Sequence, residues 1–281
     1  MQPISDRIVR VLKLFIKAQF DTPRVECQSL QLLQGCGIQG DRNAQVGSPR
    51  QVLLVDQPTL QAFGLQPGDL QENILIDAGI EAIASGQILQ IGAALIRPTF
   101  LCEPCAYLET LQKGLAKRIK GRRGWLGMVV RGGAIAPGNP VTPTPYRLPP
   151  LTNDAKGRFH EFVSRIPTGK VVTTADLILA LGVSNAHYRT IPALIKKAPS
   201  ELPVHRIVAI DRRLLTRHIP NQAERLATEG VELQSGQIGD RDRWQPEHFH
   251  PSLFTSRTDA IHCVSSPPLT PILKTDAPGK S

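Results

Sequence analysis

Cys102 and Cys105 stand in the stretch "CEPC", directly after a run of strand-like residues. This spacing occurs in half of a zinc site, in a redox pair, or around a single reactive thiol. A structural zinc site needs four ligands and the sequence has no second such stretch, while a redox pair would need a βαβ context that is missing. One functional interpretation remains, a single reactive thiol just before a helix that begins near Tyr107. The positive end of that helix would favour the thiolate. Thiolates carry sulfur or bind soft metals; two buried structural cysteines are the alternative.

A second polar pair, His205 and Arg206, precedes an apolar run in "LPVHRIVAI". A histidine and an arginine at the start of a buried strand are typical of a catalytic or phosphate-binding site. The neighbouring position holds Val204, which has no nucleophilic atom. The pair is therefore an apparent active site without its nucleophile.

A third feature is a glycine-flanked loop, "GIQGDRNA", which places Asp41, Arg42 and Asn43 before the strand-like stretch "RQVLLV". Arg50 opens that stretch. Arginines hold a phosphate or a pterin-like anion through paired hydrogen bonds. The alternative is a simple turn with an internal Asp–Arg pair.

The elements that must position these residues change character along the chain. The first half shows many short strands divided by glycine turns, with one helix predicted over 107–120. Because no long βαβ alternation occurs, a barrel-like β domain fits better than a doubly wound sheet. The stretch 136–152 contains six prolines and marks a domain boundary.

The second half predicts a helix over 154–166 and then a helix–turn–helix, with helices over 173–182 and 186–197. Thr173 or Thr174 would cap the first helix of this pair, and Pro192 would fall inside the second. The alternative is a helical hairpin with a solvated basic face. If the motif reads DNA, the expected contacts are Thr174, Asn185, Tyr188, Arg189, Lys196 and Lys197.

The fold predicted from these patterns is α+β. A mostly β, barrel-like domain (1–142) and a Pro-rich linker (143–152) precede a small helical domain of winged-helix or helix-turn-helix type (153–250). A tail (251–281) rich in Ser, Thr and Pro should be disordered. The net charge of +9 permits binding of nucleic acid or another polyanion. An odd number of cysteines and no secretory signal favour the cytoplasm, and the charge-broken N-terminal segment gives no reason to expect a membrane span.

The ordered motifs of the first half resemble the MOSC domain, a sulfur-carrier module named after the C-terminal part of molybdenum cofactor sulfurases. The resemblance rests on "GIQGDRNA", "PRQVLLV", "GDLQENI", the Pro-Cys of "CEPCAYLE" and "RGGAIAPGNPV". It implies that Cys105 is the functional cysteine, a sulfur carrier or a ligand of molybdenum, with the molybdenum cofactor as a possible partner. Nothing resembles the pyridoxal-phosphate domain of larger relatives, so pyridoxal phosphate is not expected. The residues we expect to bind the cofactor are Asp41, Arg42, Asn43, Arg50 and Asn73.

The second half resembles the DNA-binding domain of O6-alkylguanine-DNA alkyltransferases, and more closely the alkyltransferase-like proteins. The motifs are "YRTIPALIKKAP", "LPVHRIVAI", "AERLATEGVEL" and "DRWQP". In the enzymes the central motif is Pro-Cys-His-Arg, so Val204 stands at the position of the acceptor cysteine. The resemblance therefore implies a DNA-binding domain without alkyl transfer. Its lesion pocket would contain Val204, His205, Arg206 and Glu229.

Three hypotheses follow for the whole chain. The first is a fusion of a sulfur- or molybdenum-handling domain with a non-transferring DNA-binding domain that senses or acts on modified bases in DNA repair. The second is a molybdenum-dependent oxidoreductase or sulfur transferase, with an unknown redox or sulfur-transfer partner, whose second domain only positions it. The third is a scaffold in which both sites have decayed.

Overall fold

The structure is a computed structural model that describes residues 8–19 and 22–253. An eight-stranded sheet with the order β11-β7-β8-β9-β5-β6-β1-β2 dominates the N-terminal region, the described residues up to 152. All of its pairings are antiparallel except β5 with β6. Its strands are β1 Val11–Ile16, β2 Val25–Cys27, β5 Val52–Asp56, β6 Ile74–Ile76, β7 Gln87–Ile91, β8 Ala94–Leu101, β9 Trp125–Arg131 and β11 Val141–Arg147. A second sheet has the order β10-β3-β4, with β3 Leu30–Leu33, β4 Gly37–Ile38 and β10 Gly133–Ile135.

The large sheet does not close into the predicted barrel. The start of β1 meets the chain entering β11 at the isolated bridge between Arg10 and Pro140 and through a few backbone hydrogen bonds that join 9–11 to 138–141. The later part of β1 pairs with β2 instead, from Leu14 to Ile16. Strand β11 also contains Pro143 and Pro145, which have no N–H to donate to another strand. The architecture is thus a mixed α+β fold with an open sheet.

Apolar side chains cover both faces of this sheet. The strand β5 shows this directly, because Val52 and Leu54 belong to one buried cluster while Leu53 and Val55 belong to another. The first cluster lies between the two sheets and includes Leu32 and Ile135. The second packs against helices α1 (Gln57–Phe63), α2 (Tyr107–Leu111) and α3 (Leu115–Arg118). A continuous apolar run such as "VLLV" is expected for a strand buried on both sides.

The single helix predicted over 107–120 is two short helices, α2 and α3. Gln112 is extended at the end of α2, and Gly114 has φ of +76° immediately before α3. A left-handed backbone conformation of this kind favours glycine and interrupts an α-helix. Glu109 stabilises the break, because its carboxylate accepts hydrogen bonds from the N–H groups of Gly114 and Ala116. The leucines at helical spacing in this stretch therefore do not lie on one continuous helix.

The C-terminal region, residues 153–253, contains four α-helices and four two-residue strands among its described elements. Helices α4 and α5 are capped by Asp154 and Thr173, and Thr173 forms a reciprocal capping box with Asp176. The elements are α4 Ala155–Ser164, β12 Val172–Thr173, α5 Thr174–Leu181, α6 Ile191–Lys196, β13 Ile207–Val208, α7 Gln222–Thr228, β14 Leu233–Gln234 and β15 Gln237–Ile238.

Two further sequence predictions change. The second helix of the helix–turn–helix is divided into a 3-10 segment, Asn185–Thr190, and the helix α6. Pro192 therefore lies in the first turn of α6 and not in the middle of a long helix. Proline is tolerated there because its missing N–H would have had no helical partner. Strand β11 also extends to Arg147, into the stretch predicted as a linker, where its prolines occupy an edge strand. The predicted tail falls mostly on residues 254–281, outside the described residues.

The two regions pack directly against each other. The Arg158 guanidinium of α4 lies 3.8 Å from the centre of the Phe100 ring of β8. Leu101 N donates a hydrogen bond to Asn153 Oδ1 at 2.9 Å, and His250 Nε2 lies 3.1 Å from the Gly47 carbonyl oxygen. No helix within the described ranges is both long enough and apolar enough to cross a membrane.

Candidate functional site

The stretch "CEPC" lies at the end of β8 and separates its two cysteines into different environments. Cys102 N donates to the Gly124 carbonyl at 2.9 Å, and only 4% of the residue is exposed. Burial raises the pKa of the Cys102 thiol, so Cys102 is held as a neutral thiol. Cys105 is exposed, two residues before α2. Of these two cysteines, Cys105 is the exposed residue and Cys102 the buried one, although both line the same cavity.

Arg123 is the cationic group at the Cys105 sulfur. Its Nη1 lies 3.2 Å from Cys105 Sγ and also donates to the Glu103 carbonyl at 2.7 Å. The side chain is buried, and its Nε has no hydrogen-bond partner within the described part of the chain. A guanidinium donor suits an anionic sulfur, whether thiolate or persulfide. Arg123 was not among the predicted site residues, although "GRRG", which places two arginines between glycines, was a signal for it.

Cys105 opens into a cavity of about 910 Å³ between the N- and C-terminal regions. Its wall carries one acidic side chain, Glu103, against five arginines: Arg24, Arg42, Arg50, Arg123 and Arg158. Pockets of this volume hold cofactor-sized molecules. The excess of guanidinium groups makes the cavity suited to an anionic ligand.

The predicted cofactor-binding residues divide into two groups. Arg42, Asn43, Arg50 and Asn73 line the cavity, whereas Asp41 is buried behind it, where its carboxylate accepts from the N–H groups of Lys17 and Asn43. Asn73 donates to Asp41 Oδ2 at 3.0 Å and accepts from Leu53 N at 3.1 Å. Asp41 and Asn73 thus fix the loop that presents the arginines.

The C-terminal region supplies the opposite wall. Asn185 and Tyr188, both predicted to contact DNA, line the cavity beside Gly182 and Arg158. Arg189, Lys196 and Lys197 are exposed, and Thr174 is half-buried at the start of α5. The predicted DNA-contacting set is therefore divided between the cavity wall and the outer surface.

The residues around Val204 form a separate cluster centred on Glu229. His205 Nε2 lies 2.7 Å from Glu229 Oε1, and Arg206 donates to both carboxylate oxygens at 2.8–3.1 Å. Arg206 also donates to the Ile166 carbonyl at 2.6 Å. Val204 packs against the apolar core of the C-terminal region.

Two pKa shifts describe this cluster. Burial lowers the pKa of His205, which favours the neutral ring. Burial acts to raise the pKa of Glu229, but hydrogen bonds from Arg206, His205 and Gly169 N outweigh it and bring the pKa down to about 2. Glu229 is thus a carboxylate that anchors two side chains.

The MOSC domain family model matches residues 41–142, which include Arg42, Arg50, "CEPC" and Arg123. This part of the chain is a MOSC domain. Comparison with curated proteins gives no match.

Similar solved structures cover different parts of the chain. YuaD from Bacillus subtilis is 17% identical, with a TM-score of 0.42, over 48% of this chain and 94% of its own. YiiM from Escherichia coli is 18% identical, with a TM-score of 0.41, over 64% of this chain and 90% of its own. Atl1 from S. pombe, in complex with damaged DNA containing O6-carboxymethylguanine, is 25% identical, with a TM-score of 0.29, over 33% of this chain and 95% of its own.

Proposed function

We propose that the chain handles sulfur or molybdenum through the Cys105 thiol of its MOSC domain, on an anionic ligand held in the arginine-lined cavity. One observation carries this proposal: the exposed Cys105 sulfur accepts a hydrogen bond from the buried Arg123 at 3.2 Å within that cavity. Arg123 holds the sulfur in place and stabilises negative charge on it, while the other arginines bind the ligand's anionic groups.

The residues present fit the molybdenum cofactor, a pterin that carries a phosphate. The buried Nε atoms of Arg24 and Arg123 have no protein partner within the described ranges, and both arginines line the cavity. Cys105 would be the soft thiolate ligand of the metal, and Arg42 and Arg50 would contact the pterin or its phosphate. When bound, the cofactor would supply two-electron redox or sulfur chemistry, and the walls of the cavity would limit access of water to it.

Elemental analysis of the purified protein for molybdenum and sulfane sulfur tests this proposal. The native protein should carry at least one of the two, Cys105→Ser should carry neither, and Cys102→Ser should keep what the native protein has. Full molybdenum or sulfur content in Cys105→Ser, together with its loss in Cys102→Ser, would contradict the proposal and assign the role to Cys102.

A second proposal concerns DNA, which the C-terminal region would bind without accepting an alkyl group. It is supported by the exposed Arg189, Lys196 and Lys197, which follow one another along the 3-10 segment and α6. Val204 has no nucleophilic atom for alkyl transfer. A role in sensing or acting on modified bases would follow if DNA with altered guanine is preferred.

Arg189→Ala should weaken binding to a duplex containing O6-methylguanine by about tenfold at low salt, because an exposed cation of the proposed DNA-binding surface is lost. Fluorescence anisotropy over a salt series measures this effect, and Arg241→Ala, which removes another exposed arginine of the same region, is the control. Equal weakening by Arg241→Ala would contradict a specific role for Arg189. Equal affinity for damaged and undamaged duplexes would remove lesion sensing and leave only general DNA binding.

A further inference from the structure

Glu103, inside "CEPC", joins the two regions through its carboxylate. Oε2 accepts from Arg50 Nη1 of the N-terminal region at 2.7 Å, and Oε1 accepts from Arg158 Nη2 of α4 at 3.2 Å. Arg50 Nη1 also donates to the Gly182 carbonyl at 2.7 Å. A single carboxylate thus occupies the space between two guanidinium groups at the wall of the Cys105 cavity.

Arg158 is rigidly positioned for this contact. Its Nε donates to the Leu181 carbonyl at 2.8 Å, and its Nη1 donates to the carbonyls of Thr152 and Asn153 at 3.0 and 2.8 Å. The guanidinium also packs over the Phe100 ring, at 3.8 Å from its centre. Only Nη2 is directed at Glu103, so Arg158 offers one fixed donor to whatever anion lies there.

The two sides of this ion pair differ in exposure. The Arg158 side chain is 2% exposed, whereas the Glu103 side chain is 40% exposed. A buried cation needs an anion, and removing its partner without replacement is costly. Because Glu103 is accessible to solvent, its carboxylate can turn away if another anion takes over the contact with both arginines.

We propose that Arg50 and Arg158 form a phosphate subsite which the Glu103 carboxylate fills in the free protein and a phosphate group of the ligand fills in the complex. Phosphate oxygens accept the same guanidinium hydrogen bonds as a carboxylate. The ligand would then touch both regions at once, through Arg50 and Arg158. The displaced Glu103 would remain two residues from Cys105 in the sequence.

This inference rests on the proposed anionic ligand of the cavity, and it makes no use of the chemistry of Cys105. The phosphate could be the terminal group of a small molecule or an internucleotide phosphate of a DNA strand. Three probes separate these sources: inorganic pyrophosphate, deoxyguanosine 5′-monophosphate, and a short single-stranded oligonucleotide without a terminal phosphate.

Isothermal titration of the full chain with each probe, on the native protein and on Glu103→Gln, is the test. Glu103→Gln should bind at least one probe about tenfold more tightly, since the competing carboxylate is gone while both arginines remain. Adding Arg50→Gln to Glu103→Gln should abolish this gain. A gain confined to the two small probes identifies a terminal phosphate, and a gain that includes the oligonucleotide identifies an internucleotide phosphate.

The control is Glu161→Gln, which removes the same charge from the ion pair between Glu161 of α4 and Arg165, the residue that follows α4. An equal gain in this control, a gain that persists without Arg50, or no gain with any probe would each overturn the phosphate subsite. The sulfur and molybdenum content of Cys105 is measured separately. A failed subsite therefore leaves the proposed function standing, and a failed Cys105 assignment leaves the subsite standing.

Discussion

At the scale of single residues, the contact between Arg123 and Cys105 gives the site its chemical character. The 3.2 Å hydrogen bond joins a buried guanidinium to an exposed sulfur. The neighbouring Cys102 lacks that exposure and is kept protonated by burial. The two thiols of "CEPC" therefore lie in different environments, one exposed beside a guanidinium group and the other buried.

Arg123→Gln should slow alkylation of Cys105 by iodoacetamide at neutral pH by about tenfold, because the cationic donor 3.2 Å from the Cys105 sulfur is lost. Peptide-resolved mass spectrometry over a pH series measures the rate. Arg122→Gln removes the adjacent, exposed arginine, which lies over the Phe63 ring instead, and it should react at the native rate. An unchanged rate in Arg123→Gln would contradict a role for Arg123 at the sulfur.

At the scale of elements, Glu229 ties together three parts of the C-terminal region. It lies at the end of α7, pairs with His205 and Arg206 of the turn before β13, and accepts from Gly169 N after α4. Its side chain is 11% exposed. The ionised carboxylate therefore stabilises the fold, and this stabilisation is complete above the ordinary pKa of a glutamate.

Glu229→Gln should lower the free energy of unfolding at neutral pH by about 3 kcal/mol, the value that corresponds to its depressed pKa. The native pKa lies below the ordinary value of 4.5, at about 2. The contribution of Glu229 to the free energy of unfolding is therefore complete above the ordinary pKa of 4.5, and it is lost as the pH falls towards about 2. Urea unfolding of both proteins over this range should show the difference shrinking as the pH falls. Glu224→Gln, on the exposed side of α7, should be close to neutral, and a constant difference at all pH values would refute the linkage.

Local sequence patterns predicted several elements, but they failed where long-range contacts determine the structure. The capping residue Thr173, the strand β5 in "RQVLLV" and the position of Cys105 follow from short-range preferences in the sequence. The open sheet does not follow from such preferences. It depends on its two edge strands, β2 and the proline-containing β11, which come from distant parts of the sequence. Arg158 was missed for the same reason, since only tertiary packing brings it from the second half of the chain to Glu103.

At the scale of the whole molecule, the cavity exists because the C-terminal region packs on the MOSC domain. Gly182, with φ of +60°, ends α5 against the N-terminal region. A Cβ atom there would lie 2.8 Å from Pro49 Cγ and 3.0 Å from both Arg50 Cγ and Phe100 Cζ. This close approach places the start of the 3-10 segment opposite Cys105.

Gly182→Ala should loosen the contact between the regions at a cost of about 1–3 kcal/mol, because the added methyl group overlaps three side chains. Hydrogen–deuterium exchange should rise in 45–50 and 97–103. Gly230→Ala is the matched control, since Gly230 has a similar φ of +77° but no atom within 4 Å of the added Cβ. Equal exchange in the two variants would show that backbone strain alone accounts for the effect.

The central claim, that Cys105 is the sulfur-carrying or metal-binding thiol of an anion-binding cavity, has one most direct test. The purified protein is incubated with a sulfide donor under mild oxidation, and fragment-ion mass spectrometry locates the added sulfur within the peptide that contains Cys102 and Cys105. The account predicts a persulfide on Cys105 that persists in Cys102→Ser. A persulfide on Cys102 alone, or equal modification of Cys105 and the half-buried Cys27, would contradict it.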